Sequence, residues 1–316
     1  MIGTIPPQGA CFQARHAVTK RVRSALRGPG AQVVVCGFGG VGKTQVAAAY
    51  ARMLLRTHGT DVLVWASAST PGTIAAAYAS AARTLQLPVV DDSADTAALA
   101  FRSWLDHPDQ RWTVVFDDVG DADLVREWWP PVSPSGRLLI TSRRRDATLL
   151  AGRQRIDLDV YTDAEARAYL AQRLPPTLAD DVEGVVTDLD RHPLALNHAA
   201  AFMIDGSRPC SAYRAVFGDR KRRMADLFPE QEELFDYALT VATSLMLSLE
   251  PADRLRPPGV AAPILHLAGF LDPAGAPRSV FTTQAALGYV GRRREGPDPT
   301  TEDARPAPGN LLRLHP

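Results

Sequence analysis

Short apolar runs alternate with helix-like segments from Gln32 to about Leu158, and the alternation stops after Asp159. The runs Val33–Cys36, Val62–Ala66, Thr113–Phe116 and Leu138–Thr141 are short, apolar and rich in β-branched residues, and with Arg155–Leu158 they are the candidate strands. Between them, Lys43–Leu55, Thr73–Leu85, Thr96–Asp106 and Asp121–Trp128 carry helical spacing. Strands that alternate with helices predict an α/β fold with a parallel sheet covered on both faces.

Beyond Asp159 only helical patterns follow. Thr162 and Glu165 stand at the spacing of a capping box, so a helix starts there. Further helices are expected at Asp180–Leu189, Leu194–Ile204 and Ala212–Phe217, a small bundle over 160–226. Glu232–Leu249, Ala261–Leu271 and Val280–Leu287 then form a third unit over 227–291. The stretch 292–316 is rich in proline, glycine and charge and reads as a mobile tail. Residues 1–28 form a separate leading segment with a basic, weakly helical portion from His16 to Arg27.

Composition narrows the class. With 46% hydrophobic and 22% charged residues, the 316-residue chain can bury a sizeable core. Lys+Arg and Asp+Glu are both 35, so no overall field draws it to nucleic acid or an anionic membrane. The cysteines Cys11, Cys36 and Cys210 lack metal-ligand spacing. No basic-then-apolar leader and no bilayer-length apolar run is present, so a soluble, cytoplasmic protein is expected.

The candidate chemistry begins where the first strand ends. Gly37-Phe38-Gly39-Gly40-Val41-Gly42-Lys43-Thr44 follows Gln32–Cys36 and precedes a helix, the setting of a phosphate-binding loop in a nucleotide-binding domain over 29–159. The glycines let backbone N–H groups face phosphate oxygens, and the helix start adds its positive dipole end. Lys43 is placed to reach the β/γ oxygens and Thr44 to ligate Mg²⁺. Val114-Val115-Phe116-Asp117-Asp118 supplies acids at a strand end. On a strand expected beside the first, Asp117 would hold Mg²⁺ and Asp118 polarise the attacking water. Arg143, after the strand Leu138–Thr141, is the candidate for neutralising the γ-phosphate, with Arg144 and Arg145 a solvated or phosphate-steering cluster. His192 and Pro193 open a helix, which helix-start chemistry alone accounts for.

Gly37–Thr44, Val114–Asp118, Leu139–Arg143 and His192–Leu196 resemble, in order and spacing, the phosphate loop, acidic motif, sensor and Gly-Leu-Pro-Leu motif of NB-ARC ATPases. These belong to the STAND class of signal-transduction switches, and the chain is especially similar to bacterial members that carry tetratricopeptide repeats. Phe12-Gln13-Ala14-Arg15 resembles the family segment that helps line the adenine pocket. The resemblance implies a P-loop domain, a helical domain and a partial winged-helix domain around ADP/ATP and Mg²⁺. Nucleotide contacts would come from Phe12, Gln13, Gly37, Gly39, Gly40, Val41, Gly42, Lys43, Thr44, Gln45 and Pro193, with Pro193 against the adenine. It implies slow, regulatory ATP hydrolysis, a homo-oligomer in the ATP state and an unidentified protein partner.

His192 replaces the usual glycine and Ser142 the usual threonine. No Met-His-Asp-like motif is found, and repeats and a preceding effector domain are missing, so a core module, fragment or degenerate copy is expected. A non-hydrolysing ADP-bound scaffold is therefore the alternative. A DNA-binding regulator using Arg254, Arg256 and Arg292–Arg294 is a third, weaker one. The missing guanine motif favours adenine.

Overall fold

Gln32–Cys36 is the first strand because three valines and a cysteine in a row suit a surface buried on both sides, and Val33 to Cys36 are fully buried. The computed structural model describes residues 1–89, 91, 93–107, 109–227, 233–254, 258–271 and 277–293. Two compact units divide the chain, Met1–Asp159 and Val160–Pro316.

The first unit runs α1 (His16–Ala25), β1 (Gln32–Cys36), α2 (Lys43–Arg56), β2 (Val62–Ser67), α3 (Pro71–Thr84), α4 (Ala94–Trp104), β3 (Trp112–Val119), β4 (Gly136–Ser142), α5 (Ala147–Leu150) and β5 (Gln154–Asp157). The strands make one five-stranded parallel sheet in the order β2-β3-β4-β1-β5. β4 therefore lies between β1 and β3, which corrects the expectation that Asp117 stands on the strand beside the first. Chain order carries no information about which crossover lands where.

Alternating side chains reach opposite faces. Val34, Cys36, Val114, Phe116, Leu138 and Ile140 pack with Ile74, Tyr78 and Phe101 of α3 and α4. Val33, Val35, Val115 and Leu139 are equally buried and face the other way, and α2 packs on β3 and β4. Tyr78 donates to the Trp128 carbonyl at 3.0 Å and stands edge-on to Phe101 and Trp128. A further parallel bridge pairs Ile2 with Val64 at the outer edge of β2, through Ile2 N–H to Leu63 O and Trp65 N–H to Ile2 O.

The helix expected over Asp121–Trp128 is instead an Asx turn, Asp123 N–H to Asp121 Oδ1 at 2.9 Å, and a single 3₁₀ turn at Arg126–Trp128. Pro130 and Pro131 follow and deny it any extension.

The second unit is helical: α6 (Asp163–Arg173), α7 (Val182–Asp188), α8 (Pro193–Asp205), α9 (Cys210–Leu227), α10 (Glu233–Arg254), α11 (Ala261–Ala268) and α12 (Gln284–Arg293). α9 is three times the expected length, and α10 packs on both α8 and α9. Val280–Leu287 is split between a 3₁₀ turn, Arg278–Thr282, and α12. No strand occurs among the described residues after Asp159, so the helices alone carry the winged-helix expectation. The tail was expected over 292–316, but Arg292 and Arg293 close α12, and 294–316 lies outside the described residues. No helix is long and apolar enough to cross a membrane among the described residues.

The capping box is present, with Thr162 Oγ1 accepting from Glu165 N–H at 3.2 Å and Glu165 Oε2 from Thr162 N–H at 2.9 Å. Thr162→Ala is expected to cost about 1 kcal/mol, read as a lowered urea midpoint with unchanged slope. An unchanged midpoint would show the cap to be idle.

Candidate functional site

The site forms at the C-terminal rim of the sheet, where β1, β3 and β4 end and α2 begins. Gly37 closes β1 against β5: a Cβ there would sit 2.3 Å from the Leu158 carbonyl oxygen. Gly40 and Gly42 have φ of +75° and +100°, which only glycine adopts without strain. Beside Gly42 a Cβ would meet nothing within 4 Å, so the loop opens onto free space.

Lys43 is the first residue of α2 and is buried. Its Nζ donates to Gly37 O at 2.9 Å and Phe38 O at 2.8 Å, curling back over the loop. Burial, reinforced by Arg143, lowers its pKa, while Asp118 and Asp117 pull the other way. Those three groups are the sequence-predicted partners, and each acts electrostatically on the ammonium.

Thr44 Oγ1 donates to Asp117 Oδ1 at 2.9 Å, across β4 and despite the intervening strand. Asp117 is carried far enough by a β-bulge. Phe116 pairs with Ile140 and Val119 with Ser142, so Asp117 and Asp118 together oppose the single residue Thr141. Asp118 takes φ +60° there, an uncommon conformation for a residue other than glycine. Thr141 Oγ1 donates to Asp117 Oδ1 at 2.6 Å and accepts from Asp118 N–H at 2.8 Å. Burial raises the Asp117 pKa, and the bonds from Thr141 and Thr44 oppose that rise.

Arg143 lies over the loop, its guanidinium 3.7 Å from where a Gly39 Cβ would be, and its Nε is 3.7 Å from Asp118 Oδ1. Both side chains are well exposed, so this contact contributes little to stability. Arg144 pairs with Asp146 at 2.8 Å and Asp121 at 3.7 Å. Arg145 pairs with Asp157 at 3.5 Å and stacks on Phe38. Both side chains remain about half exposed in these ion pairs.

Gln45 grips the leading segment, its Nε2 donating to Pro7 O at 3.1 Å and its Oε1 accepting from Gly9 N–H at 3.2 Å. Phe12 and Gln13 are half-buried in that segment, and Gln13 Nε2 donates to Cys11 O. Val41 is buried beneath the loop. In the second unit, Pro193 is the first residue of α8, and His192 caps that helix with Nδ1 accepting from Ala195 N–H at 3.2 Å.

The residues fit a nucleotide and Mg²⁺. The Thr44 hydroxyl and Asp117 carboxylate are hard oxygen donors, and no group of three or more His, Cys, Asp or Glu that could hold a metal exists among the described residues. Mg²⁺ is ordinarily held this way, by few protein oxygens completed by phosphates and water.

Sequence reasoning missed Thr141. A threonine in a β-branched run reads as a strand former, and only the bulge shows what its hydroxyl meets.

A parallel sheet whose first strand feeds this loop and helix is the fold of a P-loop NTPase. The NB-ARC domain family matches residues 15–167. That segment is thus similar to an NB-ARC domain. A nucleotide-binding leucine-rich repeat (NLR)-like protein of Hyaloscypha variabilis is 27% identical over 207 residues, 59% of this chain and 21% of its own length. A solved STAND protein with a tetratricopeptide repeat sensor from Pyrococcus horikoshii is 12% identical, with 92% of this chain and 48% of that one covered and a TM-score of 0.46. Drosophila ORC bound to DNA gives 14%, 98%, 80% and 0.43. The chain thus spans about a fifth of the curated relative's length.

Proposed function

We propose that the chain is an adenine-nucleotide switch in which ADP holds one state, ATP the other, and slow hydrolysis resets it. One observation supports this most: Lys43, the Thr44–Asp117 pair and Arg143 gather around an open glycine loop. Bound Mg²⁺ would supply charge neutralisation across the β- and γ-phosphate oxygens. Thr44 and Asp117 would hold it, and the amides of Gly39 to Gln45 would cradle phosphate.

Lys43 exchanges two carbonyl acceptors for phosphate oxygens, gaining charge-assisted bonds in a desolvated place. Asp118, turned toward the rim by the bulge, orients the attacking water and accepts its proton. Arg143 leaves its long contact with Asp118 to meet the γ-phosphate, so the triphosphate frees the base as it engages the guanidinium. Phe12, Gln13 and Gln45 would wall the base, and the adenine contact of Pro193 belongs to the same proposal. So do the division into 1–28, 29–159, 160–226, 227–291 and 292–316, ATP-state oligomerisation and a protein partner rather than nucleic acid.

The test is the nucleotide that copurifies, released by denaturation and identified by chromatography. ADP or ATP is expected, and a protein that neither retains nor binds either with Mg²⁺ would end the proposal. In single-turnover assays, Asp118→Asn is expected to slow γ-phosphate release by roughly 10²-fold or more with ADP affinity kept. If native protein binds ATP but releases no phosphate, the non-hydrolysing scaffold replaces the ATPase.

A further inference from the structure

We propose that Thr141 is a positioning residue of the site, whose single hydroxyl fixes the metal-side carboxylate of Asp117 and the water-side carboxylate of Asp118 relative to each other. This rests on the nucleotide reading above. Thr141 is the one residue of β4 opposed by both acids in the bulge. It is fully buried, with no solvent to take either role. Its O–H is donated to Asp117 Oδ1 at 2.6 Å, and the same oxygen accepts the Asp118 amide at 2.8 Å.

The geometry is specific because a hydroxyl has one proton to give and lone pairs to receive. An isosteric methyl supplies neither. Asp118 stays at φ +60°, where a non-glycine residue is strained, and strain persists only when surrounding contacts hold it. Thr141 supplies such a contact and simultaneously turns Oδ1 of Asp117 toward Thr44. On the other side of the bulge, Ser142 Oγ donates to Val119 O at 2.6 Å and accepts from Arg144 N–H at 3.0 Å. β4 thus clamps both ends of the irregular stretch, and Arg143 follows directly on the same strand. Movement of Arg143 toward or away from phosphate would pass through this clamp to both carboxylates.

The bland alternative is that Thr141 merely fills space at a strand end. Thr141→Val keeps the volume and removes the hydroxyl, and Thr141→Ser keeps the hydroxyl and removes a methyl. ADP binding is titrated by calorimetry in EDTA and then in Mg²⁺, followed by single-turnover hydrolysis across ATP concentrations. For Thr141→Val, ADP affinity in EDTA should stay within about twofold of native, because the loop alone contacts phosphate. The extra affinity that Mg²⁺ gives should fall by roughly 10–100-fold, and the maximal turnover rate should fall likewise, as for supporting partners of metal ligands. Thr141→Ser should restore both.

Full Mg²⁺ enhancement in Thr141→Val would overturn the proposal, and so would a serine variant as impaired as valine. Should circular dichroism show the valine variant unfolded, Thr141→Ala carries the same expectations, and a serine variant that departs from native on its own overturns the proposal. Native protein that binds ADP with no gain from Mg²⁺ overturns the Thr141 role and leaves nucleotide binding standing. Native protein that binds no nucleotide removes the functional reading itself.

Discussion

Lys43→Ala is expected to weaken ADP and ATP binding by about 10–150-fold while leaving the fold intact. The ammonium is buried at the head of α2 and already satisfied by two loop carbonyls, so the site holds it close to where phosphate would lie. Charge-assisted hydrogen bonds in such surroundings are worth about 1.5–3 kcal/mol, and 1.4 kcal/mol is tenfold in affinity. Removing the side chain relieves the cost of burying its charge and gives up its bonds to the two carbonyls, and these effects oppose each other. The melting temperature should therefore change little. Titration calorimetry beside a thermal melt checks both, and unchanged nucleotide affinity in a folded variant would remove Lys43 from the site.

Trp112→Ala should do the reverse. Trp112 opens β3, is 1% exposed, and donates Nε1–H to Leu105 O at 2.8 Å. Gly136 of β4 pairs with it, and a Cβ at Gly136 would fall 2.0 Å from the indole. The ring thus fills a space the neighbouring strand has left bare. Deleting it empties a large cavity and orphans a carbonyl, a loss of about 3–5 kcal/mol. Domains of this kind hold about 5–15 kcal/mol in all, so much of the margin goes. A urea titration should show the midpoint fall steeply, with nucleotide affinity near native wherever the variant remains folded. A small shift would mean that the surroundings collapse into the void.

The phosphate loop was legible because its chemistry is local: glycine freedom, a lysine and a hydroxyl within eight residues of one another. The strands β1 to β4 were legible because burial demands apolar runs, whereas β5, at the end of the sheet, is exposed at three of its four residues. The position of β4 was not, since adjacency in a parallel sheet depends on crossovers whose landing place leaves no mark on the strand itself. Val125 and Trp128 imitate a helical stripe, yet Tyr78 bonds to the Trp128 carbonyl and the two prolines end the turn. The bulge at Asp117-Asp118 was equally hidden, for two adjacent acids look alike in sequence and differ only in backbone conformation.

Ile2 hydrogen-bonds to the rim of β2, and a few residues later the chain is gripped by Gln45, the neighbour of Thr44. The opening residues are thereby moored at two points, one on a sheet margin and one beside the candidate nucleotide pocket. A load applied to this tether, whether from a fused domain or a bound protein, would be felt first at the mouth of that pocket. Loosening the outer mooring would also lay bare a strand margin to other chains.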